Sequence, residues 1–428
     1  MKRNGLFVKK RIVDSLYLLP VGQMVADLNR GIKINPTCEY VWEQLSDDIT
    51  YNELIKRCAH KYDAEGVEIE HLEKDIEELI KALKDRGMIK GSRNIFKCGC
   101  RRCLNGISVS KPMFCEIREA GGLKPSDSIP FYGQYLIGGL PVEMYGSKGY
   151  FAEEFEDFRI TGSGKNNLRI PQSIIPMRVE VIDISDVPEK NPDYYDFKQD
   201  DFRTLIHHPD LTVLEDIKEY VLFFTELEGV EELHMKKDGS LARFYCQSAS
   251  ENVRFGLFHA IRMAFLMYAL EYERVMLHSC SILYKDKVWA FSAPSGTGKS
   301  THCGLWEKLY KTPVINGDLN LIGVEDGKVY VYGTPWCGSS GISDTGTRQL
   351  GGIILLRRGQ DNFIEELSEE QKILYVQQRL ITSVWDENSL DRVLDIVKDI
   401  IKRIYVKRYY CTKEDSAAEV IHEDILKI

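Results

Sequence analysis

Residues 291–306, FSAPSGTGKSTHCGLW, have the composition of a phosphate-binding loop. They join a predicted strand to a predicted helix over 300–309, which is where such loops lie. Glycines let successive backbone N–H groups converge on phosphate oxygens, and the N-terminus of the next helix adds the positive end of its dipole. The predicted nucleotide-binding residues are Ser295, Gly296, Thr297, Gly298, Lys299, Ser300 and Thr301.

Within this loop, we expect Lys299 to contact the terminal phosphates of ATP and Ser300 to ligate Mg²⁺. The sequence departs from the G-x-x-x-x-G-K-[ST] pattern where Ala293 replaces the first glycine. Alanine is compatible with that position if the backbone there keeps a negative φ. A glycine-rich turn that matches the pattern by chance is the alternative interpretation.

Two further candidate catalytic residues flank the loop. His278 precedes it in LHSCSI, and Asp318 follows it in VINGDLNLI. A neutral histidine is a candidate general base, while a structural histidine bonded to the backbone fits the sequence equally well. We select Arg348 to stabilise charge on a transferred phosphoryl group. Arg357 and Arg358 follow an apolar strand and fit ordinary strand-end positions.

The order of His278, a hairpin, the loop SGTGKS and Asp318 resembles the HPr kinase/phosphorylase family. That family shares its kinase core with ATP-dependent phosphoenolpyruvate carboxykinases, and the resemblance covers roughly residues 131–400. It implies that Lys299 and Ser300 hold nucleotide and metal, and that Asp318 faces the acceptor and Mg²⁺. The segments VYVYGTPWCGSSG and RQLGGIILLRRG also look like carboxykinase-like proteins.

The sequence departs from the HPr kinases beside Asp318. Those enzymes have two adjacent aspartates there, one attributed to metal binding and one to proton transfer, whereas this chain has Gly317 at the first position. Asp318 then either performs both tasks or shares them with His278. If it does neither, the enzyme is slow. Phosphoryl transfer tolerates such a change because it depends mainly on positioning and charge neutralisation.

The N-terminal part predicts short strands followed by three helices. Strands are expected over 16–21, 23–28 and 31–34. Asn35-Pro36 starts the first helix, Thr50 and Glu53 form a capping box for the second, and Gly87 follows the third. This pattern predicts a winged-helix-like layout. Seven acidic against four basic residues in 68–86 disfavour DNA binding.

The segment LNRGIKINPTCEYVWEQLSDDITYNELIKRCAHKY, with a long third helix ending DRGMI, resembles the PqqD-like peptide-recognition domain. The resemblance implies that a leader peptide adds as a strand to the sheet edge beside the third helix. The expected leader-binding residues are Ile32, Lys33, Ile34, Lys81 and Lys84. A structural cap on the larger domain is the alternative.

Four cysteines between the two parts are candidate ligands of Zn²⁺, since thiolates in a short loop can converge on a metal. They are Cys98, Cys100, Cys103 and Cys115. Free thiols in a connector remain the alternative, because the spacing is not that of a common zinc ribbon or finger.

Length and composition set the broad class of the protein. A chain of 428 residues exceeds one hydrophobic core, and we predict an α/β (α+β) protein divided at 1–92, 93–130 and 131–428. These ranges are expected to be the peptide-recognition domain, a cysteine-containing linker and the kinase-like domain. A net charge of -9 disfavours nucleic-acid and anionic-membrane partners. No membrane span or signal peptide is expected, which predicts a cytoplasmic protein.

The combination of these parts predicts an ATP-dependent kinase that phosphorylates serine or threonine in a ribosomally synthesised precursor peptide. A regulatory HPr-type kinase/phosphorylase and a nucleotide-switched peptide-binding adaptor are the alternatives. The sequence leaves open the acceptor residue, the nucleotide preference and whether the protein is a homo-oligomer.

Overall fold

The computed structural model describes residues 1–4, 7–21, 31–45, 49–64, 67–90, 123–160, 174–186, 202–207 and 211–427. The described helices are α1 (Pro36–Gln44), α2 (Tyr51–Tyr62), α3 (Val67–Asp85), α4 (Glu251–Glu271), α5 (Lys299–Tyr310), α6 (Glu369–Gln377), α7 (Glu387–Ile401) and α8 (Ser416–Ile425). The described strands are β1 (Lys2–Arg3), β2 (Phe7–Ile12), β3 (Ser15–Pro20), β4 (Ile32–Ile34), β5 (Ile89–Lys90), β6 (Phe131–Ile137), β7 (Leu140–Tyr145), β8 (Met177–Asp183), β9 (Arg203–His207), β10 (Leu211–Glu215), β11 (Glu219–Phe224), β12 (Val230–Lys236), β13 (Leu241–Cys246), β14 (Arg274–Tyr284), β15 (Lys287–Ser292), β16 (Val314–Asn316), β17 (Leu319–Glu325), β18 (Lys328–Tyr332), β19 (Thr347–Arg358), β20 (Phe363–Glu365), β21 (Leu380–Ile381) and β22 (Tyr405–Cys411). The predicted α+β class is confirmed.

The predicted helix starts of the N-terminal part are confirmed. Asn35 caps α1 through a hydrogen bond from a backbone N–H of its first turn, and Pro36 occupies the first helical position. Thr50 caps α2 in the same way. The Glu53 carboxylate pairs with Arg57 at 3.1 Å, so the reciprocal half of the predicted capping box is not formed.

The sheet β2–β3–β4 packs the N-terminal part onto the C-terminal helices. Strand β2 is absent from the sequence prediction because its Lys-Lys-Arg run interrupts the apolar alternation. Lys10 in this run is only 8% exposed, and its ammonium lies 2.6 Å from Asp391 and 2.9 Å from Glu387 of α7. Tyr17 and Leu19 of β3 enter the same apolar core as buried side chains of α6 and α7.

A large sheet with strand order β6–β7–β8–β13–β12–β11–β10–β9 forms the next layer. Helix α4 packs on it and contributes Leu257 and Phe265 to the shared core. By length and composition alone α4 could cross a membrane, but 72% of its most apolar window is buried inside the protein. Most of this apolar window thus packs within the fold.

The second large sheet contains two long strands that change partners along their length. Strand β14 pairs with β17 over 274–278 and with β15 over 279–284. Strand β19 pairs with β18 over 347–349 and runs parallel to β15 over 350–355. The hairpin expected between His278 and the loop is formed by β14 and β15, and its tight turn has positive φ at Lys285 and Asp286.

Candidate functional site

The loop over 293–298 lies between β15 and α5. Gly296 and Gly298 have φ angles of 70° and 116°, and a Cβ at either position would meet nothing within 4 Å. The positive φ explains the need for glycine, and the open surroundings leave the backbone N–H groups accessible. Helix α5 begins at Lys299, so the N–H groups of its first turn adjoin the same loop. Ala293 is buried and lies outside the set of residues with positive φ, so alanine fits there.

The change of partner in β14 brings three of the four predicted catalytic residues together, namely His278, Lys299 and Asp318. Ser279 pairs with Ser292, the last residue of β15, and His278 pairs with Leu319, the first residue of β17. The loop starts directly after Ser292, and Asp318 directly precedes Leu319. His278 therefore lies where the loop and Asp318 approach each other, although the three are separated in the sequence.

His278 contacts both charged residues of the site. Its Nε2 lies 2.9 Å from Lys299 Nζ and 3.1 Å from Asp318 Oδ1. One ring nitrogen cannot satisfy both contacts in one state, because it needs a lone pair to accept from Lys299 and a proton to donate to Asp318. An anion that binds Lys299 would remove this conflict, because His278 Nε2 could then donate its proton to Asp318 alone.

Asp318 is held in its ionised form by its neighbours. Burial opposes ionisation, but the hydrogen bond and attraction of His278, with the charges of Lys299 and Arg262, outweigh it and lower the pKa of Asp318. The side chain retains 35% exposure. An ionised, partly accessible carboxylate beside a phosphate-binding loop can accept a proton or ligate a cation.

Gly317 is enclosed by the loop that follows β18. A Cβ on Gly317 would lie 2.1 Å from Ser340 Oγ and 2.4 Å from Ser340 Cβ. Ser340 is fixed there by donating a hydrogen bond to the Cys337 carbonyl at 2.7 Å. The space that a second aspartate would need beside Asp318 is therefore filled by Ser340.

Arg358 contacts the loop, whereas the role expected for Arg348 at a transferred phosphoryl group stays a prediction. Arg348 is paired with Asp344, with 2.5 Å between Nε and Oδ2. Arg358 instead donates from Nη2 to the Gly296 carbonyl at 2.5 Å. Since β19 runs parallel to β15, the C-terminal ends of both strands meet at one edge, and this brings Arg358 to the loop.

The donor set of the site fits a magnesium ion. Ser300 and Thr301 are exposed in the first turn of α5, and Ser295 is exposed in the loop. Protein sites for Mg²⁺ with nucleotides use one or two protein oxygens together with phosphate and water. Ser300 and the ionised Asp318 supply oxygens of this kind.

The zinc prediction falls outside the described residues. All four candidate cysteines lie within the range 91–122, between two described parts of the chain. Among the residues that the structure does describe, no group of three His, Cys, Asp or Glu side chains could hold a metal. The predicted strand over 23–28 also lies outside the described residues.

The predicted leader-binding residues lie on β4 and α3. Strand β4 is an outer strand of the described sheet β2–β3–β4. Ile34 is buried, Ile32 is half-buried, and Lys33 is exposed and lies 3.3 Å from Glu370 of α6. The two lysines of α3, Lys81 and Lys84, are both exposed.

The comparisons with known proteins agree with the N-terminal part of this description. Residues 21–89 match the family model of coenzyme PQQ synthesis protein D (PqqD). None of the curated proteins compared matches the chain. The solved Hpr(Ser) kinase/phosphatase from Coxiella burnetii matches with 12% identity over 19% of this chain and 59% of that chain, at a TM-score of 0.15. A superposition of that quality carries no argument about fold or activity.

Sequence reasoning missed three residues, two near the loop site and one at the predicted leader-binding strand. Arg358 was assigned to an ordinary strand end, and neither Arg262 of α4 nor Glu370 of α6 was selected. Each of these residues reaches its site through contacts between segments that are far apart in the sequence. The one sequence signal was an arginine closing the apolar run GGIILL, which is typical of a strand that ends at a polar edge.

Proposed function

We propose that this protein is an ATP-dependent kinase that phosphorylates a serine or threonine hydroxyl of a ribosomally synthesised precursor peptide. The observation that carries the proposal is the convergence of Lys299, His278 and Asp318 beneath a glycine loop that opens α5. A lysine that neutralises phosphate charge and a carboxylate that orients the acceptor and receives its proton are recurring parts of phosphoryl-transfer sites.

In this proposal, the loop and Lys299 bind the triphosphate. The backbone N–H groups around Gly296 and Gly298 and those of the first turn of α5 surround the phosphate oxygens. Lys299, which now contacts His278, moves its ammonium to the terminal phosphate. The guanidinium of Arg358 keeps the loop in place through the Gly296 carbonyl.

Asp318 orients the acceptor hydroxyl and takes its proton as the oxygen attacks the terminal phosphorus, while the bond from that phosphorus to the bridging oxygen breaks and ADP leaves. Its lowered pKa keeps it ionised at neutral pH, and His278 fixes its orientation through Oδ1. Bound Mg²⁺ would neutralise charge on the phosphate oxygens, with Ser300 and Asp318 as its protein ligands. A single carboxylate thus has both tasks, because Ser340 fills the place of a second one.

The N-terminal part supplies the peptide specificity in this proposal. The PqqD match and the outer strand β4 support leader binding by strand addition, in which main-chain hydrogen bonds give affinity. The sheet is anchored to α6, where Glu370 contacts Tyr17 and Lys33. A leader bound to a sheet fixed in this way raises the effective concentration of the core peptide at the loop.

The test is transfer of phosphate to a precursor peptide encoded beside the gene. The full chain is incubated with ATP, Mg²⁺ and the peptide, and intact-mass spectrometry follows the addition of one phosphoryl group. We expect addition at serine or threonine, faster on the full precursor than on its leaderless core. Nucleotide turnover without transfer to the peptide, or transfer only to a folded carrier protein, would contradict the proposal.

A further inference from the structure

One face of α4 leads from the protein surface toward Asp318. Phe255, His259 and Arg262 follow each other at spacings of four and three residues, which places them on the same side of the helix. Phe255 is 66% exposed and its ring lies 4.6 Å from that of His259. This row of side chains, from the exposed Phe255 to the half-buried Arg262, is here called the α4 face.

The two inner residues of the α4 face carry unsatisfied polar atoms. His259 Nδ1 and Arg262 Nε are both buried, and neither has a hydrogen-bond partner among the described residues. Burial of an unpaired polar atom is unfavourable, so such an atom in a stable fold calls for an explanation, and a bound ligand or ion is one. No hydrogen bond within the described chain explains why Arg262 Nε is buried.

Contacts between α4 and the loop after β18 place this face beside Asp318. Trp336 donates from Nε1 to the Phe258 carbonyl at 3.1 Å, one helical turn before Arg262. Two residues further along, Gly338 packs so closely on Asp318 that a Cβ would lie 2.8 Å from Oδ2. The electrostatic attraction between Arg262 and Asp318 agrees with this placement.

We propose that the α4 face binds the phosphoacceptor segment and that Arg262 contacts the transferred phosphoryl group from the acceptor side, opposite Lys299. This inference rests on the proposed kinase function and adds a catalytic residue to it. The planar guanidinium is suited to phosphate because it offers paired donors in a fixed geometry. Negative charge is spread over three equatorial oxygens in the transition state, and cations on two sides stabilise it better than one.

The other two side chains of the α4 face suit the acceptor peptide. Burial and the neighbouring Arg262 lower the pKa of His259 to about 4, so the imidazole is neutral at pH 7. A neutral imidazole adds no charge beside Arg262, so the guanidinium keeps its full attraction for an anion. The exposed ring of Phe255 offers an apolar contact to a residue next to the acceptor hydroxyl.

The test separates binding of the phosphoryl group from binding of the nucleotide. Thermal unfolding of the full chain is followed with Mg²⁺ and ADP, and then with inorganic phosphate added. We expect ADP to raise Tm and phosphate to raise it further. Arg262→Gln should keep the rise with ADP and lose the additional rise with phosphate, while Arg262→Lys should recover part of it.

The matched control is Arg254→Gln, on the same helix, where the guanidinium donates to the Gly149 carbonyl. Arg254→Gln should keep both the rise of Tm with ADP and the further rise with phosphate. In transfer assays we expect Arg262→Gln to lower kcat about a hundredfold with little change in the KM for ATP.

Two results separate failure of the inference from failure of the proposed function. If ADP raises Tm but the phosphate increment is absent, or is unchanged in Arg262→Gln and Arg262→Lys, the role of Arg262 is wrong and the nucleotide site stands. If ADP with Mg²⁺ does not raise the Tm of the wild-type protein, the proposed nucleotide site fails and the inference fails with it.

Discussion

Lys299 Nζ lies 2.9 Å from His278 Nε2, a contact between two groups that are 21 positions apart in the sequence. The lysine is only 9% exposed, and a buried ammonium requires polar partners. His278 and the Ala293 carbonyl provide them in the structure, and phosphate oxygens would replace them. The site is thus arranged around the Lys299 ammonium, and an anion can displace His278 and the Ala293 carbonyl from it.

Arg358 should contribute to nucleotide affinity by holding the loop. Arg358→Ala removes the donor to the Gly296 carbonyl, and we expect the Kd for ATP to rise roughly fivefold to tenfold. Arg357→Ala is the matched control, since it removes the same kind of side chain one position away. Calorimetry provides both Kd values, and equal values for the two variants would contradict the role of Arg358.

Gly317→Asp should destabilise the protein rather than improve the enzyme. The new side chain collides with Ser340, which we expect to cost about 1–3 kcal/mol in the free energy of unfolding. The double variant Gly317→Asp with Ser340→Gly should recover part of that loss, because the collision is removed. Urea unfolding of all four combinations measures this coupling. Strictly additive effects would show that Ser340 is not the obstacle.

The local features of this fold were predictable from the sequence, and the long-range ones were not. The caps at Asn35 and Thr50, the tight turn at Lys285 and the loop before α5 depend on neighbouring residues. Strand β2 was missed because its buried Lys10 is compensated by carboxylates nearly 400 positions away, on α7.

The arginine at the loop shows the same limitation. Arg348 and Arg358 lie on one strand, and the choice between them depends on how β19 pairs. Its early residues pair with β18, whereas its later residues run parallel to β15 and reach the loop. No periodicity in the sequence reveals which neighbouring strand a residue will meet, so the contact of Arg358 with the loop could not be predicted.

His302 should make stability depend on pH. It is buried in α5, where Nε2 accepts a hydrogen bond from Trp306 Nε1 at 3.3 Å, and burial lowers the pKa of His302 to about 4. The unfolded imidazole titrates near pH 6.5, so the unfolded state binds more protons between pH 6.5 and 4. Stability therefore falls as the pH falls through this window, by up to about 3 kcal/mol.

Urea unfolding of the wild type and of His302→Gln at a series of pH values tests this expectation. The substitution should lower the free energy of unfolding at pH 7 and flatten its decline toward pH 4. Parallel curves for the two proteins would show that His302 is not the group responsible.

Lys33 tests strand addition at β4. Lys33→Pro removes a backbone N–H and disturbs the strand, so the affinity for an isolated leader peptide should fall at least tenfold. Lys33→Ala keeps the backbone donor while removing the ion pair with Glu370, and should bind the leader within about threefold of the wild type. Fluorescence anisotropy gives both affinities. Equal binding by Lys33→Pro and the wild type would place the leader elsewhere.

The most direct test of the catalytic site is single-turnover phosphoryl transfer by Lys299→Ala. Its matched control is Lys308→Ala, which removes an exposed lysine of the same helix that pairs with Asp415. Circular dichroism verifies that both variants are folded, and intact-mass spectrometry measures the rate of phosphate transfer to the precursor peptide. We expect Lys299→Ala to be slower by about 10²–10³-fold and Lys308→Ala to match the wild type. Transfer at the wild-type rate by a folded Lys299→Ala protein would contradict the account.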